Sequence, residues 1–543
     1  MTLKFNLVHD PWIKVLDMGN AVMEVSLSDL FRNATSYRRF AGESEPQDIA
    51  VMRVCLAVMY AALAQGVDDQ QAAEDLWESI WSVRQFPHRE LLAYLDRWKD
   101  RFYLVHPTHP FYQRPCAAGG TGYNILKLNG NLCQSGDKVR FFTESLQDST
   151  EGMLFPEAAR WLIYLNAFDD NSGKPSSAYS ADCKARNKAT ESVGAGWLGR
   201  CGLVFLAGEN LFQTLMLNFV LLLDGKEPYG TEKPCWELDV PRDAERTTVP
   251  CPDNPAELYT FQSRRIILDL NDTGDRVVGY HTIGGDVFDP VNAFIEPMTI
   301  WQAPLAEGND SAKAPEFRPR THRPQERFWR TMPGLLGRRL GSRRTHVPGI
   351  LTWVGMLSSH GILEDIPVHV RMVSVQYGDA KCFNVADTFS DGTCGEMRLS
   401  ALLSEAWRDM ISETVSVTVD TLAGYVWQLG RNVAEADGME YTRSGSSPAG
   451  SFAAAQQAAF YDLAGREFRT WLSELDPGTQ DCAQKGLDIK AACVDCARQM
   501  PSRIVGALSP QALFGRPGRK ASVAGAVGMF DTQVRRFSDG SKQ

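Results

Sequence analysis

Between Phe317 and His346 the sequence places Arg318, Arg320, Arg323, Arg327, Arg330, Arg338, Arg339, Arg343 and Arg344, with Phe328 and Trp329 among them and Glu326 as the one acidic residue. A guanidinium group bridges two phosphate oxygens with paired N–H donors and also stacks on bases, while aromatic rings add apolar faces. The pattern therefore suits a surface that holds a nucleic-acid backbone, with Arg320, Arg323, Arg327, Arg330, Arg338, Arg339, Arg343 and Arg344 as candidate contacts. A solvated basic loop, or one that docks on an acidic neighbour, would carry the same residues.

A second candidate is Gly194-Ala195-Gly196-Trp197-Leu198-Gly199-Arg200-Cys201-Gly202. Repeated glycine leaves the main chain unobstructed, so it can approach a groove or a phosphate closely, although tight turns use glycine equally well. Cys493-Val494-Asp495-Cys496, with Cys482 nearby, has the spacing of half a zinc site, yet no second ligand pair follows, and all three cysteines fall on an apolar helical stripe. Core packing is the expectation, with no metal and no cofactor. The sequence contains no phosphate loop, no nucleophile elbow, no His-Glu-x-x-His pair and no recognisable nuclease carboxylate cluster, so no catalytic residue is assigned.

These residues need a scaffold, and 543 residues exceed what one growing core accommodates, so at least two packed units are expected. Hydrophobic residues at 44% and charged residues at 22% place the chain among globular proteins rather than disordered ones. A net charge of -10 excludes a protein that coats nucleic acid with its whole surface, but leaves room for a local basic groove. The apolar runs Ala50 to Ala64 and Leu211 to Leu223 are short and interrupted, and read as buried helices rather than membrane spans. With twelve cysteines and no secretory pattern at the start, reduced thiols and a cytoplasmic location are expected.

Alternation through Trp12 to Leu16 and Val22 to Val25, split by Asp17 to Asn20, predicts a hairpin, with Ser26 or Ser28-Asp29 able to cap the next helix. Gly119 to Ser149 reads as a long surface loop, and Asn271 to Asp275 as a hairpin turn rather than a metal loop. Past residue 399 the spacing becomes helical, in four stripes that run from Leu403, Phe460, Cys482 and Val523. The fold class is therefore α+β, with an N-terminal domain at 1–395 and a C-terminal four-helix bundle at 396–543.

Phe5-Asn6-Leu7-Val8-His9-Asp10-Pro11-Trp12-Ile13-Lys14-Val15 resembles the opening of the CasA family, the large subunit of type I-E CRISPR Cascade complexes. The likeness continues through Gly196 to Leu222 and Tyr259 to Arg265 into the helical bundle. It implies an N-terminal globule of unusual fold and a subunit that reads a protospacer-adjacent motif in duplex DNA, helps open the strands for guide RNA and presents a docking surface for a separate helicase-nuclease. Minor-groove readout, which the resemblance also implies, is degenerate and tolerates motif variants.

By position, the resemblance makes Gly196 and Gly199 the motif-contacting glycine loop, and sets Arg264 or Arg265 where the family has a lysine finger. The family's wedge hairpin falls on Tyr377-Gly378-Asp379-Ala380-Lys381, where Ala380 stands in place of the expected glutamine, so that Asp379, Lys381 or Gln376 would contribute instead. Phe141 or Phe142 occupies the place of a loop that meets the guide RNA and neighbouring subunits. Implied partners are the other Cascade subunits, CRISPR guide RNA, double-stranded DNA and the helicase-nuclease, with no membrane. A metal-dependent nuclease with a novel site, or a guide-RNA scaffold in which Gly196 and Gly199 only turn the chain, are the alternatives.

Overall fold

The structure is a computed structural model that describes residues 3–129, 152–170, 194–231, 233–238, 249–304, 314–322, 326–340, 343–378, 385–393, 395–442, 447–506, 508, 512–513 and 522–540. The chain forms two compact units: Met1–Arg327 with Thr345–Glu364 and Val368–Gly392, and Phe328–Arg344 with Asp365–Pro367 and Thr393–Gln543.

The first unit is α+β and is built around the helix Glu45–Leu63. Ser44 accepts from the Gln47 amide and Pro46 occupies the first turn, two signals that start a helix, and nearly every residue from Pro46 to Ala61 is then buried. By length and composition the helix could cross a bilayer, but its apolar surface is taken up by the protein interior, where it packs on His88–Trp98, Phe155–Phe168 and Pro255–Tyr259.

The opening hairpin forms as the alternation predicts: Ile13–Asp17 pairs with Val22–Val25 through a turn in which Asn20 has φ 67°, and Tyr37–Phe40 adds a third strand. Ser26 caps Leu27–Asn33 by accepting from the Asp29 amide. The residues that carry the family likeness at the start hold this corner together. Asn6 accepts from the Val8 amide and donates to the Lys99 carbonyl, while the Trp12 indole donates to the Leu7 carbonyl at 2.9 Å. Arg160, on Phe155–Phe168, caps the arrangement by donating to the Trp12 carbonyl and to Glu24 and Glu43.

Two antiparallel sheets position the candidate site. Arg264–Leu270 pairs with Val277–Gly284 around the expected hairpin turn at Asn271 to Asp275, where the Gly274 amide donates to the Asn271 carbonyl and the Asn271 side chain accepts from the Asp275 and Arg276 amides. Part of the predicted long loop is ordered instead: Thr121–Asn124 joins this sheet against Val277–Gly284. Gly279 makes the pairing close, because a side chain there would begin 2.5 Å from the Tyr123 carbonyl oxygen, a long-range fit that local composition does not reveal. In the other sheet Pro367–Tyr377 lies between Leu203–Ala207 and Val385–Gly392. The helix expected over Leu211 to Leu223 ends at Leu217, because the Asn218 side chain turns back to pair with both backbone groups of Leu206.

In the second unit, four helical rods among the described residues form a bundle. Glu405–Glu413 runs through the π-helical Thr414–Val419 into Asp420–Ala436, which packs on Pro448–Ser473 and Val523–Ser538, and Cys482–Arg498 contacts both of the latter. Ser447, Asp481 and Ser522 each accept an amide at the start of their helices. Cys493 and Cys496 are buried in the bundle, and burial pushes their thiols up to about 12 and about 11, which keeps them protonated.

Burial alone would raise the pKa of Glu43, but hydrogen bonds and charge from Arg160 and Lys14 outweigh it and hold the carboxylate at about 2, against an ordinary 4.5. The stability this adds is fully present above about pH 4.5 and is lost as pH falls towards 2. Glu43→Gln is therefore expected to flatten the acid limb of the unfolding free energy between those pH values by up to ~1.4 kcal/mol per pH unit. Parallel acid limbs for the two proteins in urea titrations would contradict the assignment.

Candidate nucleic-acid interface

The glycine segment sits at the end of the helix Phe155–Phe168, where the Gly196 amide donates to the Asp169 carbonyl at 3.0 Å and Gly194 has φ 74°. A short 3-10 turn, Trp197–Arg200, follows. Both Gly196 and Gly199 are buried rather than open to solvent. A β-carbon on Gly196 would lie 2.4 Å from the Ala167 carbonyl oxygen, and one on Gly199 would overlap the Tyr377 hydroxyl. Their smallness is thus used first for packing. Gly194 and Arg200 are the partly exposed members of the loop. Burial, with the Arg264 charge beside it, lowers the Arg200 pKa, and its Nε donates to the Ala195 carbonyl.

Arg264 and Arg265 do not project as a finger here: both side chains lie in the core, at 0% and 1% exposure. Arg264 pairs with Asp169 at 2.5 Å and donates to the carbonyls of Ser263, Asp170 and Gly194, which spends its donors on the glycine loop. Arg265 pairs with Asp286 at 2.8 Å and donates to the Gln262 carbonyl. A guanidinium enclosed in this way positions backbone rather than reaching outward, because extracting it would strand a buried carboxylate.

The hairpin that the resemblance names as a wedge is anchored in the same place. Tyr377 pairs with Val385 at the end of the ladder, and the Tyr377 hydroxyl donates to the Phe168 carbonyl at 2.8 Å, directly over Gly199. Asp379, Ala380 and Lys381 lie outside the described residues, as do Phe141, Phe142 and Arg323. Gln376, next to the anchor, is exposed.

The arginine run is not one continuous surface. Arg320 is largely buried and paired with Glu326, Arg330 lies over the Tyr461 ring at 3.9 Å, and Arg338 is held by Asp409. These three are committed within their own units. Arg318 and Arg327 in the first unit, and Arg339, Arg343 and Arg344 in the second, are exposed. Phe328 and Trp329, read as interleaved ring faces, are buried core residues of the helix Phe328–Leu335.

Residues that the sequence did not single out complete the site. Asp169 and Asp170 are buried acceptors for Arg264 and Lys127, and Asn166 accepts from the Arg264 amide. The paired acids directly after an apolar helix were the available signal, since such residues stay buried only when partnered. Among the described residues no group of three or more His, Cys, Asp or Glu is placed to hold a metal ion.

A family model described as CRISPR-associated protein Cse1 matches residues 6–499. CRISPR-associated protein CasA/Cse1 of Thermus thermophilus is 29% identical over 313 residues; the match spans 56% of this chain and 56% of that relative, about half the length of each. The crystal structure of Thermobifida fusca Cse1 has a TM-score of 0.82 at 25% identity and covers 99% of both chains. A chain from a structure described as a CRISPR RNA-guided surveillance complex shares the fold, with a TM-score of 0.69 at 16% identity over 98% of this chain and 100% of that one. An α+β unit with a C-terminal helical bundle and these relatives is a CRISPR-associated protein. The chain belongs to the Cse1 (CasA) family, the large subunit of type I-E Cascade.

Arg264→Met is expected to cost about 3–5 kcal/mol, because Asp169 would stay buried without its guanidinium partner. Amide exchange at Gly196 and Gly199 should quicken with it. Urea unfolding and hydrogen exchange measure both, and a loss below about 1 kcal/mol would show that the pair does not hold the loop.

Proposed function

We propose that this chain is the DNA-recognition subunit of a CRISPR RNA-guided surveillance complex, without catalytic activity of its own. It reads the protospacer-adjacent motif in duplex DNA, helps the strands part for guide RNA pairing, and offers a surface to a separate helicase-nuclease. Its partners are the other Cascade subunits, the guide RNA and the DNA target, and it works in the cytoplasm. Family membership supports the setting. The observation that carries the DNA-reading role is the tie between Tyr377 and Phe168 over Gly199, which brings the glycine loop and the base of the wedge hairpin to one place from opposite parts of the sequence.

In this reading Arg264 stiffens the loop from behind, Arg265 holds the adjoining strand, Gly194 and Arg200 face the duplex, and Gln376, Asp379 and Lys381 act at the strand junction. Arg327, Arg339, Arg343 and Arg344 supply phosphate contacts, which fix register without reading sequence. The scaffold reading is favoured by one observation, the burial of Gly196 and Gly199, which gives both glycines a packing reason.

Gel-shift binding of the guide-loaded complex, assembled with and without this chain, to targets with intact or scrambled flanking motifs separates the two. DNA reading predicts that tight binding needs both the chain and the intact motif, and indifference to the motif supports the scaffold. Replacing Arg339, Arg343 and Arg344 with alanine is expected to weaken binding across all sequences and to reduce the slope of log affinity against log salt by about 0.9 for each phosphate these side chains neutralise. An unchanged slope would remove these arginines from the interface.

A further inference from the structure

The first unit also carries two small adjoining clefts that share Arg114, Cys235 and Gln262 in their walls. Lys233 lines one and Arg101 the other, and Arg114 stands at their junction. Among the described residues none of these three cations has an ion-pair partner, whereas the neighbouring Arg265 is neutralised by Asp286. The one further carboxylate in the walls is Glu257. Three cations therefore face one acid.

Polar groups on Arg114 and Tyr112 are orphaned here. The Arg114 Nε is shut off from solvent without an acceptor, and so is the hydroxyl of Tyr112, a residue only 6% exposed that lines the Arg101 cleft. Leaving a charged N–H and a phenol unpaired in the interior is costly, and native proteins rarely tolerate it without a bound group that meets them. Tyr112 is moreover held at φ 56°, a left-handed conformation that a bulky side chain adopts only when its surroundings force it, and such strain gathers where ligands are gripped.

We infer that the joined clefts bind a phosphomonoester, with Arg114 as the central donor, Arg101 and Lys233 flanking it, and the Tyr112 hydroxyl donating a hydrogen bond. An excess of two positive charges matches a terminal phosphate, which carries about -1.5 to -2 at neutral pH, better than the single charge of a phosphodiester. A guanidinium also meets the planar spread of phosphate oxygens with paired donors. The segment Tyr259 to Arg265, notable in the sequence for its family likeness, has its structural use here: Thr260, Phe261, Gln262 and Arg265 form one wall. The cleft does not depend on the DNA-reading role, since its ligand could be a free nucleotide or the phosphorylated end of a strand.

The test uses the full chain and follows its thermal midpoint and its binding heat against inorganic phosphate, a mononucleotide, and a short oligonucleotide carrying either a 5′-phosphate or a 5′-hydroxyl. Chloride at equal ionic strength is the control. Phosphate is expected to raise the midpoint in a saturable way. Arg114→Gln should weaken phosphate binding at least tenfold, and Tyr112→Phe, which keeps the ring that packs the core, should weaken it several-fold. Preference for the 5′-phosphorylated oligonucleotide over its hydroxyl counterpart would identify a strand end as the source, and equal binding of the mononucleotide alone a free ligand. No response to any phosphate beyond the chloride control would overturn the inference and leave water as the partner of the orphaned groups. A response that survives unchanged in both Tyr112→Phe and Arg114→Gln would overturn it as well.

Discussion

Glu296 is a carboxylate with no exposed surface, and the first unit is organised around satisfying it. Arg53, from the middle of the core helix, grips both its oxygens at 2.8 and 2.7 Å, the Trp197 indole donates at 2.9 Å, and the Met298 amide at 3.1 Å. One anion thus binds together the core helix, the glycine loop and the chain leading to Trp301–Pro304. A buried pair of this kind adds little over a well-packed apolar substitute, but loss of one partner is severe, so its geometry is specified more strongly than its stability. The Trp197 ring is fixed as a result, and with it the turn that carries Gly199.

The site repeats this design one layer further out. Asp169 and Asp170 would be intolerable at the end of an apolar helix without Arg264 and Lys127, and Arg264 in turn requires the Gly194 carbonyl to complete its donors. The loop is therefore held from inside by charge and from above by the Tyr377 hydroxyl, while its two central glycines leave room for both neighbours.

Patterns of period two and period 3.6 made much of the architecture legible. The opening hairpin, the hairpin turn at Asn271, the core helix and the four bundle stripes follow from alternation, capping and turn residues, which act over a few positions. The strand Thr121–Asn124 and the early end of the helix at Leu217 were not legible, because each depends on a partner outside its own element, Gly279 and Leu206 respectively. In the candidate site the glycines were visible as residues, but their burial was not.

What the amino-acid order determines alone is local: where helices start, where turns fall, which faces are apolar, and a signature at the N-terminus distinctive enough to point to the family. The tertiary structure decided which charges are available. Nine arginines in one stretch look equivalent in sequence, yet Arg320, Arg330 and Arg338 are spent on Glu326, Tyr461 and Asp409, while Arg339, Arg343 and Arg344 stay exposed. Arg264 and Arg265 look like surface cations and are core residues. The physical reason is that a charge's role depends on the dielectric around it and on the partner within a few ångströms, and both are set only when distant parts of the chain meet.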